Sequence, residues 1–269
     1  MPKIFKARSS TVRPFAQRPV EKVIVSLTSF PGRINRVWIV IECLLRQTCM
    51  PDKIILYLSV EQFPNGLSSV PKNLRKYCQK DMLKIEFVSD DLRSHKKYFY
   101  ALQQFPEDLI ITVDDDIYYP EHVVEELLNL HVRYPEAICS LRAYSVAKLD
   151  GELLPYRNWK KVYSFQEPTS DLFHTSGAGT LYKKSFFSDE VFNQNVFKKF
   201  CFHADDVWLN IMAQIQGTKT VKSEYFSNLL PISSNSFKLS EGNVADGGND
   251  IQLRSLLQYY NINDDEIFN

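Results

Sequence analysis

Three consecutive aspartates, Asp114, Asp115 and Asp116, close an apolar, β-prone run, LIITVDDDIYY over residues 109–119. Like charges at neighbouring positions repel, and taking them out of water costs more still unless a cation compensates. A hard divalent metal is the natural compensator, because Mg²⁺ and Mn²⁺ take one or two carboxylates together with phosphate oxygens of a substrate. A second acidic pair lies in His203-Ala204-Asp205-Asp206-Val207-Trp208, at the start of a helix-like stretch. A carboxylate there can take a proton from a hydroxyl nucleophile, or Asp205 can simply cap the helix. Cations stand upstream. Arg33 ends the turn Thr28-Ser29-Phe30-Pro31-Gly32-Arg33, and Lys96 and Lys97 open a helix-like segment shortly after Asp90 and Asp91. Lysine at a helix start opposes the helix dipole, which favours a bound anion such as a diphosphate over plain surface charge.

These residues need elements that bring them together. Val23–Phe30, Lys53–Val60, Leu83–Ser89 and Leu109–Asp114 read as strands, and residues 35–47 and Tyr98–Phe105 as helices. A further helix opens at Pro120, with Glu121 favourable to its dipole, and runs to about Tyr134. Such alternation predicts an α/β fold with a mostly parallel sheet and helices on both faces. Ligands in open sheets of this kind sit at the carboxyl ends of the strands. Four polar clusters fall at such ends: Thr28–Arg33, Asp90–Lys97, the aspartate run, and Asp205-Asp206. The second half is less regular. Strands are expected near Ala137–Tyr144 and Thr175–Tyr182, and a helix over Asp205–Gln216 stopped by Gly217. After Pro231 a polar, Gly-rich stretch precedes the short amphipathic segment QLRSLLQYY.

At 269 residues the chain suits one large domain or two fused lobes, and 44% hydrophobic with 24% charged residues supports a sizeable core. Equal numbers of basic and acidic residues, 32 each, argue against a dedicated nucleic-acid binder. Lys3, Lys6, Arg8, Arg13, Arg18 and Lys22 face only Glu21 in the first 22 residues, a basic arm that is either solvated or drawn to anionic lipid. No apolar stretch is long enough to span a bilayer, and no apolar segment follows the basic residues as a secretory signal requires. Cys43, Cys49, Cys78, Cys139 and Cys201 are odd in number and lack CxxC spacing, so they read as reduced thiols of a cytosolic protein.

In the aspartate run, the first-strand turn and the later acidic pair, the chain resembles GT-A-type glycosyltransferases, the family-2-like enzymes of bacterial surface-polysaccharide synthesis. The resemblance covers about residues 22–215. It implies a GT-A-like, mostly parallel open sheet with flanking helices and a fused acceptor lobe. Residues 1–21 are then an arm and 22–235 the catalytic domain, with a nucleotide half at about 22–117 and an acceptor half at about 118–235; residues 236–269 form a tail. By the same resemblance Asp116 holds Mn²⁺ or Mg²⁺ on the donor diphosphate, Asp114 contacts the ribose or the same metal, and Asp115 reaches the donor sugar. The turn with Thr28, Ser29 and Arg33 binds the nucleotide, and Asp90 or Asp91 its base or ribose, while Lys96 and Lys97, placed by the dipole argument above, add to the same nucleotide-sugar site. Asp206 is the general base and Asp205 the alternate. A Q-x-x-R-W block is missing, with Asn235 and Lys238 in the corresponding stretch, which favours single sugar addition. A third metal ligand is not evident beyond the candidates His174 and His203. The small, polar loop Thr175–Gly179 either admits a sugar or turns into a strand.

The expected activity is metal-dependent, inverting transfer from a nucleotide-diphospho-sugar, UDP-linked by preference, to a glycan or lipid-linked glycan. Its expected place is the cytoplasm, with peripheral contact to the anionic inner face of the plasma membrane. A sugar nucleotidyltransferase is the nearest alternative, although its Gly-rich loop is reduced here to Gly32. A D-x-D phosphatase wants Thr or Val where this chain has Tyr118, and a non-catalytic carbohydrate-binding relative is the alternative of another class.

Overall fold

The strand β1 (Val23–Thr28) sends Val23, Val25 and Leu27 to one side of the sheet and Ile24 to the other, and all four are buried. Side chains alternate along a strand, so a strand covered on both faces must be apolar almost throughout. The same holds for β2 (Lys53–Ser59) and β4 (Leu109–Val113), whereas β3 (Leu83–Val88), at the edge of the sheet, carries Lys84 and Glu86 and is buried only at its ends. The computed structural model describes residues 19–78, 83–226, 228–232 and 247–269. The basic residues Lys3 to Arg18, and Asn235 and Lys238, lie outside the described residues.

The remaining strands are β5 (Ile138–Ser140), β6 (Ala143–Ser145), β7 (Lys148–Leu149), β8 (Glu152–Leu153), β9 (Lys160–Lys161), β10 (Gln166–Thr169), β11 (Leu172–His174), β12 (Ala178–Tyr182) and β13 (Thr220–Lys222). Eight strands form one sheet in the order β10-β13-β5-β12-β4-β1-β2-β3. The pairs β4-β1, β1-β2, β2-β3 and β13-β5 are parallel, whereas β12 runs against both its neighbours and β10 against β13. A small sheet, β11-β6-β9, leans beside the second half.

The helices are α1 (Val37–Leu44), α2 (Lys72–Arg75), α3 (Lys96–Gln104), α4 (Val123–Arg133), α5 (Gln194–Phe200), α6 (Asp205–Gln216) and α7 (Gly248–Tyr260). Residues of α1 and α4 share a core with Val25, Leu56 and Ile111 on one face of the sheet. Residues of α3, α6 and α7 share another with Ile24, Ile55 and Ile110 on the opposite face. The tail is thus partly built in, since Leu253, Leu256 and Leu257 of α7 are buried there. None of the described helices is long and apolar enough to cross a membrane.

Two departures from the expected boundaries have an identifiable cause. The helix expected from Pro120 begins at Val123, because Gln47 and Thr48 donate to the carbonyls of Pro120 and Glu121 and Gln47 accepts the Val124 N–H, holding a turn there. The strand expected over Ala137–Tyr144 is two strands, because the Ser140 hydroxyl donates to the Arg142 carbonyl (2.8 Å) and redirects the chain into the small sheet.

Candidate active site

The order of the sheet explains why the polar clusters meet. From β1 the chain moves outward to β2 on one side, while β4 inserts on the other, so β1 and β4 flank a switch point where a crevice opens at their carboxyl ends. Ser29 and Arg33 follow β1 there, and the aspartates follow β4. Because β12 is antiparallel to β4, its entry loop Thr175–Gly177 arrives at the same end, pairing Ala178 with Val113. That loop in turn touches the first turn of α6.

Asp115 is 6% exposed and points inward. It accepts the Ser29 hydroxyl and lies 3.0 Å from an Arg33 Nη1 that also reaches Asp116 at 2.7 Å. Burial raises the Asp115 carboxyl and lowers the Arg33 guanidinium, but the two acidic neighbours win for Arg33 and hold its proton more firmly than usual. Arg33 is positioned by a tight turn, with its N–H and that of Ile34 both donating to the Phe30 carbonyl and its guanidinium 5.5 Å over the Phe30 ring. Asp116 looks into a recess lined by Arg33, Arg36, Asp115 and Ile232. Burial, followed by the Asp114 charge, pushes its carboxyl up to about 6.

The second set is organised by Lys97. Its amine is 4% exposed, 2.8 Å from Asp114 Oδ1 and 3.0 Å from Asp205 Oδ2. Burial disfavours the charged amine, yet Asp114 and Asp205 together raise its pKa well above the ordinary lysine value. The Ser176 hydroxyl donates to Asp205 Oδ2 and the Ser176 N–H to Asp206 Oδ1, each at 2.7 Å. The outcome splits the pair. Burial would raise Asp205, but Lys97 and then His95 pull it down to about 2, whereas burial and the Asp205 charge push Asp206 up to about 6. His95 itself is buried and held near 4 by desolvation, its Nε2–H donating to the Cys201 carbonyl and its Nδ1 accepting from Tyr98. Ala204, not Asp205, occupies the cap position of α6, without a side-chain cap, so the capping alternative does not describe Asp205.

Several sequence expectations are revised by these contacts. The Thr28 hydroxyl donates to the Tyr57 carbonyl (2.9 Å) and the Ser29 hydroxyl to Asp115, so both hydroxyls are engaged within the protein. Lys96 is 2% exposed and pairs with Asp91, which also accepts Gln62 Nε2 (2.7 Å) and the Arg93 N–H. The anion that offsets lysine at the start of α3 is therefore supplied by the protein: Asp91 for Lys96, Asp114 and Asp205 for Lys97. Asp90 lies apart on the edge side of the sheet, 3.6 Å from Lys198. His174 is buried with Nδ1 3.2 Å from the Thr220 hydroxyl, and His203 accepts from Arg93 (3.0 Å), so neither joins the aspartates. Among the described residues no group of three His, Cys, Asp or Glu gathers as a metal site.

Ser176, Gly177 and Tyr119 are the contributors that residue type alone does not announce. The Tyr119 hydroxyl donates to the Gly177 carbonyl and accepts the Asp114 N–H (2.8 Å), and the Asp114 N–H also points at that carbonyl. A Cβ on Gly177 would stand 1.8 Å from Asp114 Oδ2, so only glycine fits against that carboxylate. Gly177→Ala is expected to displace Asp114 and cost about 1–3 kcal/mol of stability as an overpacked contact; a thermal unfolding scan of the variant checks this, and an unchanged midpoint would contradict it.

Asp116 carries an opposite expectation. A carboxyl raised above its unfolded value stabilises the fold when protonated, and that contribution is lost as pH rises through about 6. Asp116→Asn should therefore raise the unfolding midpoint at pH 8, by the equivalent of about 1–2 kcal/mol, with the gain fading towards pH 5. Parallel melts at the two pH values measure it.

No protein-family model and no curated protein matches this chain. Solved structures do. S. aureus TarS residues 1–349 in complex with UDP-GlcNAc superposes with a TM-score of 0.52 at 13% identity, over 81% of this chain and 60% of TarS. The chain has a GT-A-like fold. It spans about three fifths of the TarS chain to which it is similar. The CMP:2-keto-3-deoxy-manno-octonic acid synthetase complexed with CTP follows at a TM-score of 0.48 and 11% identity, over 90% of this chain and 100% of that one. The 4-diphosphocytidyl-2C-methyl-D-erythritol synthase of Anaerococcus prevotii stands at 0.49 and 13%, over 78% and 92%. These last two likenesses are too loose to argue from.

Proposed function

We propose that the protein transfers a sugar from a nucleotide-diphospho-sugar, UDP-linked by preference, to a hydroxyl of a glycan or lipid-linked glycan, with inversion at the anomeric carbon. The observation that carries this reading is the division of labour at one crevice. Asp114 and Asp116 stand partly exposed near Lys97 and Arg33, while Asp206, held by the Ser176 N–H, has a carboxyl raised to about 6. One set suits a diphosphate with its cation, and the other a proton acceptor.

Asp114 and Asp116 fit a Mg²⁺ or Mn²⁺ ion that completes its shell with phosphate oxygens and water. They are close enough for the Asp114 charge to raise Asp116, and they are 42% and 29% exposed. When bound, such an ion neutralises charge on the departing diphosphate. The protein's own part is separate. Arg33, fixed by Asp115, presents a guanidinium at the diphosphate end of the crevice. Asp206 takes the acceptor proton as the hydroxyl attacks, and it is basic enough to do so because Asp205, not Asp206, is neutralised by Lys97.

The reading predicts that Mn²⁺ supports slow hydrolysis of one UDP-sugar and that Asp116→Ala or chelation reduces it by about tenfold or more. A panel of sugar nucleotides assayed for UDP release tests this. If no sugar nucleotide binds with or without metal, the proposal fails.

A further inference from the structure

Most buried cations near the crevice have a carboxylate partner: Arg33, Lys96 and Lys97 are all ion-paired. One group is different. Arg142 leaves β5 towards the small sheet, and among the described residues no carboxylate pairs with it or with Lys161. Its guanidinium lies 5.4 Å over the Tyr144 ring and donates to the Tyr144 hydroxyl, while its Nε is buried with no hydrogen-bond partner. Lys161 stands opposite Tyr144 across the β6-β9 pairing, with its amine 3.0 Å from the Asn228 side-chain oxygen. Burial and then the Arg142 charge lower the Lys161 amine. Like charges gathered this way are costly unless an anion joins them.

The group is tied to the crevice. The Arg142 carbonyl accepts the Thr175 N–H (3.1 Å), and the next residue, Ser176, holds Asp206. Tyr156 bridges the two, its ring 5.5 Å from that of Tyr144 and its hydroxyl raised by burial, then by Tyr144 and Asp206. A guanidinium fork with an ammonium beside it matches phosphate oxygens, and tyrosine rings next to them suit a sugar face.

We propose that Arg142 and Lys161 bind a phosphoryl group carried by the acceptor, and that Tyr144 and Tyr156 lead from it to the hydroxyl at Asp206. This rests on Asp206 marking the acceptor side. The phosphoryl group is the shared chemistry of a lipid-diphosphate glycan and of a phosphodiester within a glycan. The test is calorimetric titration of the full chain, saturated with UDP and Mn²⁺ so that the donor side is filled. The probes are glucose 1-phosphate, its methyl phosphodiester and methyl glucoside. The expected result is binding of one or both phosphorylated probes about tenfold or more tighter than methyl glucoside, with a similar loss in Arg142→Gln and in Lys161→Met. A preference for the monoester points to a terminal phosphate, and equal binding of the diester to an internal one. The proposal is overturned if the phosphorylated probes bind no tighter than methyl glucoside, or if both variants, folded by circular dichroism, bind them as the wild type does. If UDP itself does not bind, the donor reading fails separately. The titration without UDP then compares Arg142→Gln with Arg33→Gln, and loss in Arg33→Gln alone overturns the proposal.

Discussion

Asp206→Asn is expected to lower the rate of sugar transfer by about 10²–10⁴ while leaving the donor bound, because the variant removes a base and little else. An asparagine Oδ1 can still accept the Ser176 N–H that Asp206 Oδ1 accepts at 2.7 Å, so the α6 entry keeps its geometry. The wild-type profile should show the same group. Activity requires the carboxylate, whose pKa is raised to about 6, so the rate falls as pH drops through about 6. Asp116, also near 6, adds to that limb through donor binding, and the two separate as an effect on kcat against one on KM. Asp205 is the poorer candidate, since a carboxyl held at about 2 beside Lys97 has little proton affinity to offer. Single-turnover rates of both asparagine variants decide between them. Full transfer by Asp206→Asn would remove it from the reaction.

The largest loss of stability is expected from Lys97→Met. The methionine fills much of the same space but leaves Asp114 and Asp205 without the amine that stands 2.8 and 3.0 Å away. Removing one member of a buried ionic cluster costs about 3–5 kcal/mol, roughly ten degrees in the unfolding midpoint for a chain of this size. The pH dependence identifies the cause. Asp205, depressed to about 2, stabilises the fold above its unfolded pKa, and this is lost as pH falls through about 2. In the variant Asp205 loses the charge that depresses it, so the gap to wild type should be widest near neutrality and narrow under acid conditions, once the carboxyls protonate. Urea unfolding at several pH values measures the gap, and a constant difference would assign the loss to packing alone.

Much of this arrangement can be read from residue order. The runs VIVSLT, KIILYLS and LIITV are too apolar for a one-sided sheet, and the polar clusters that follow them mark the ligand end. Asp205–Gln216 is a helix to the residue, since Gly217 at φ 77° is where a helix stops most easily. The partners were not readable. Nothing in DDD says that Asp115 turns inward to Ser29 and Arg33 while its neighbours stay partly exposed; that follows from β1 lying beside β4. Lysine at the start of α3 was correctly unusual, but the compensating anions come from residues 17 and 108 positions away, brought close by β4 and α6. Arg142 carried no pattern at all, because its lack of a carboxylate is a property of the folded surroundings.

A glycosyltransferase at this crevice must cleave the bond between a sugar and a nucleoside diphosphate. Phosphorus NMR of the purified protein with diamagnetic Mg²⁺, a panel of UDP-sugars and, in parallel, UTP or CTP with sugar 1-phosphates reads it directly. The expected result is UDP appearing from one UDP-sugar and no pyrophosphate from the triphosphates. Pyrophosphate release with no UDP from any sugar nucleotide would contradict it.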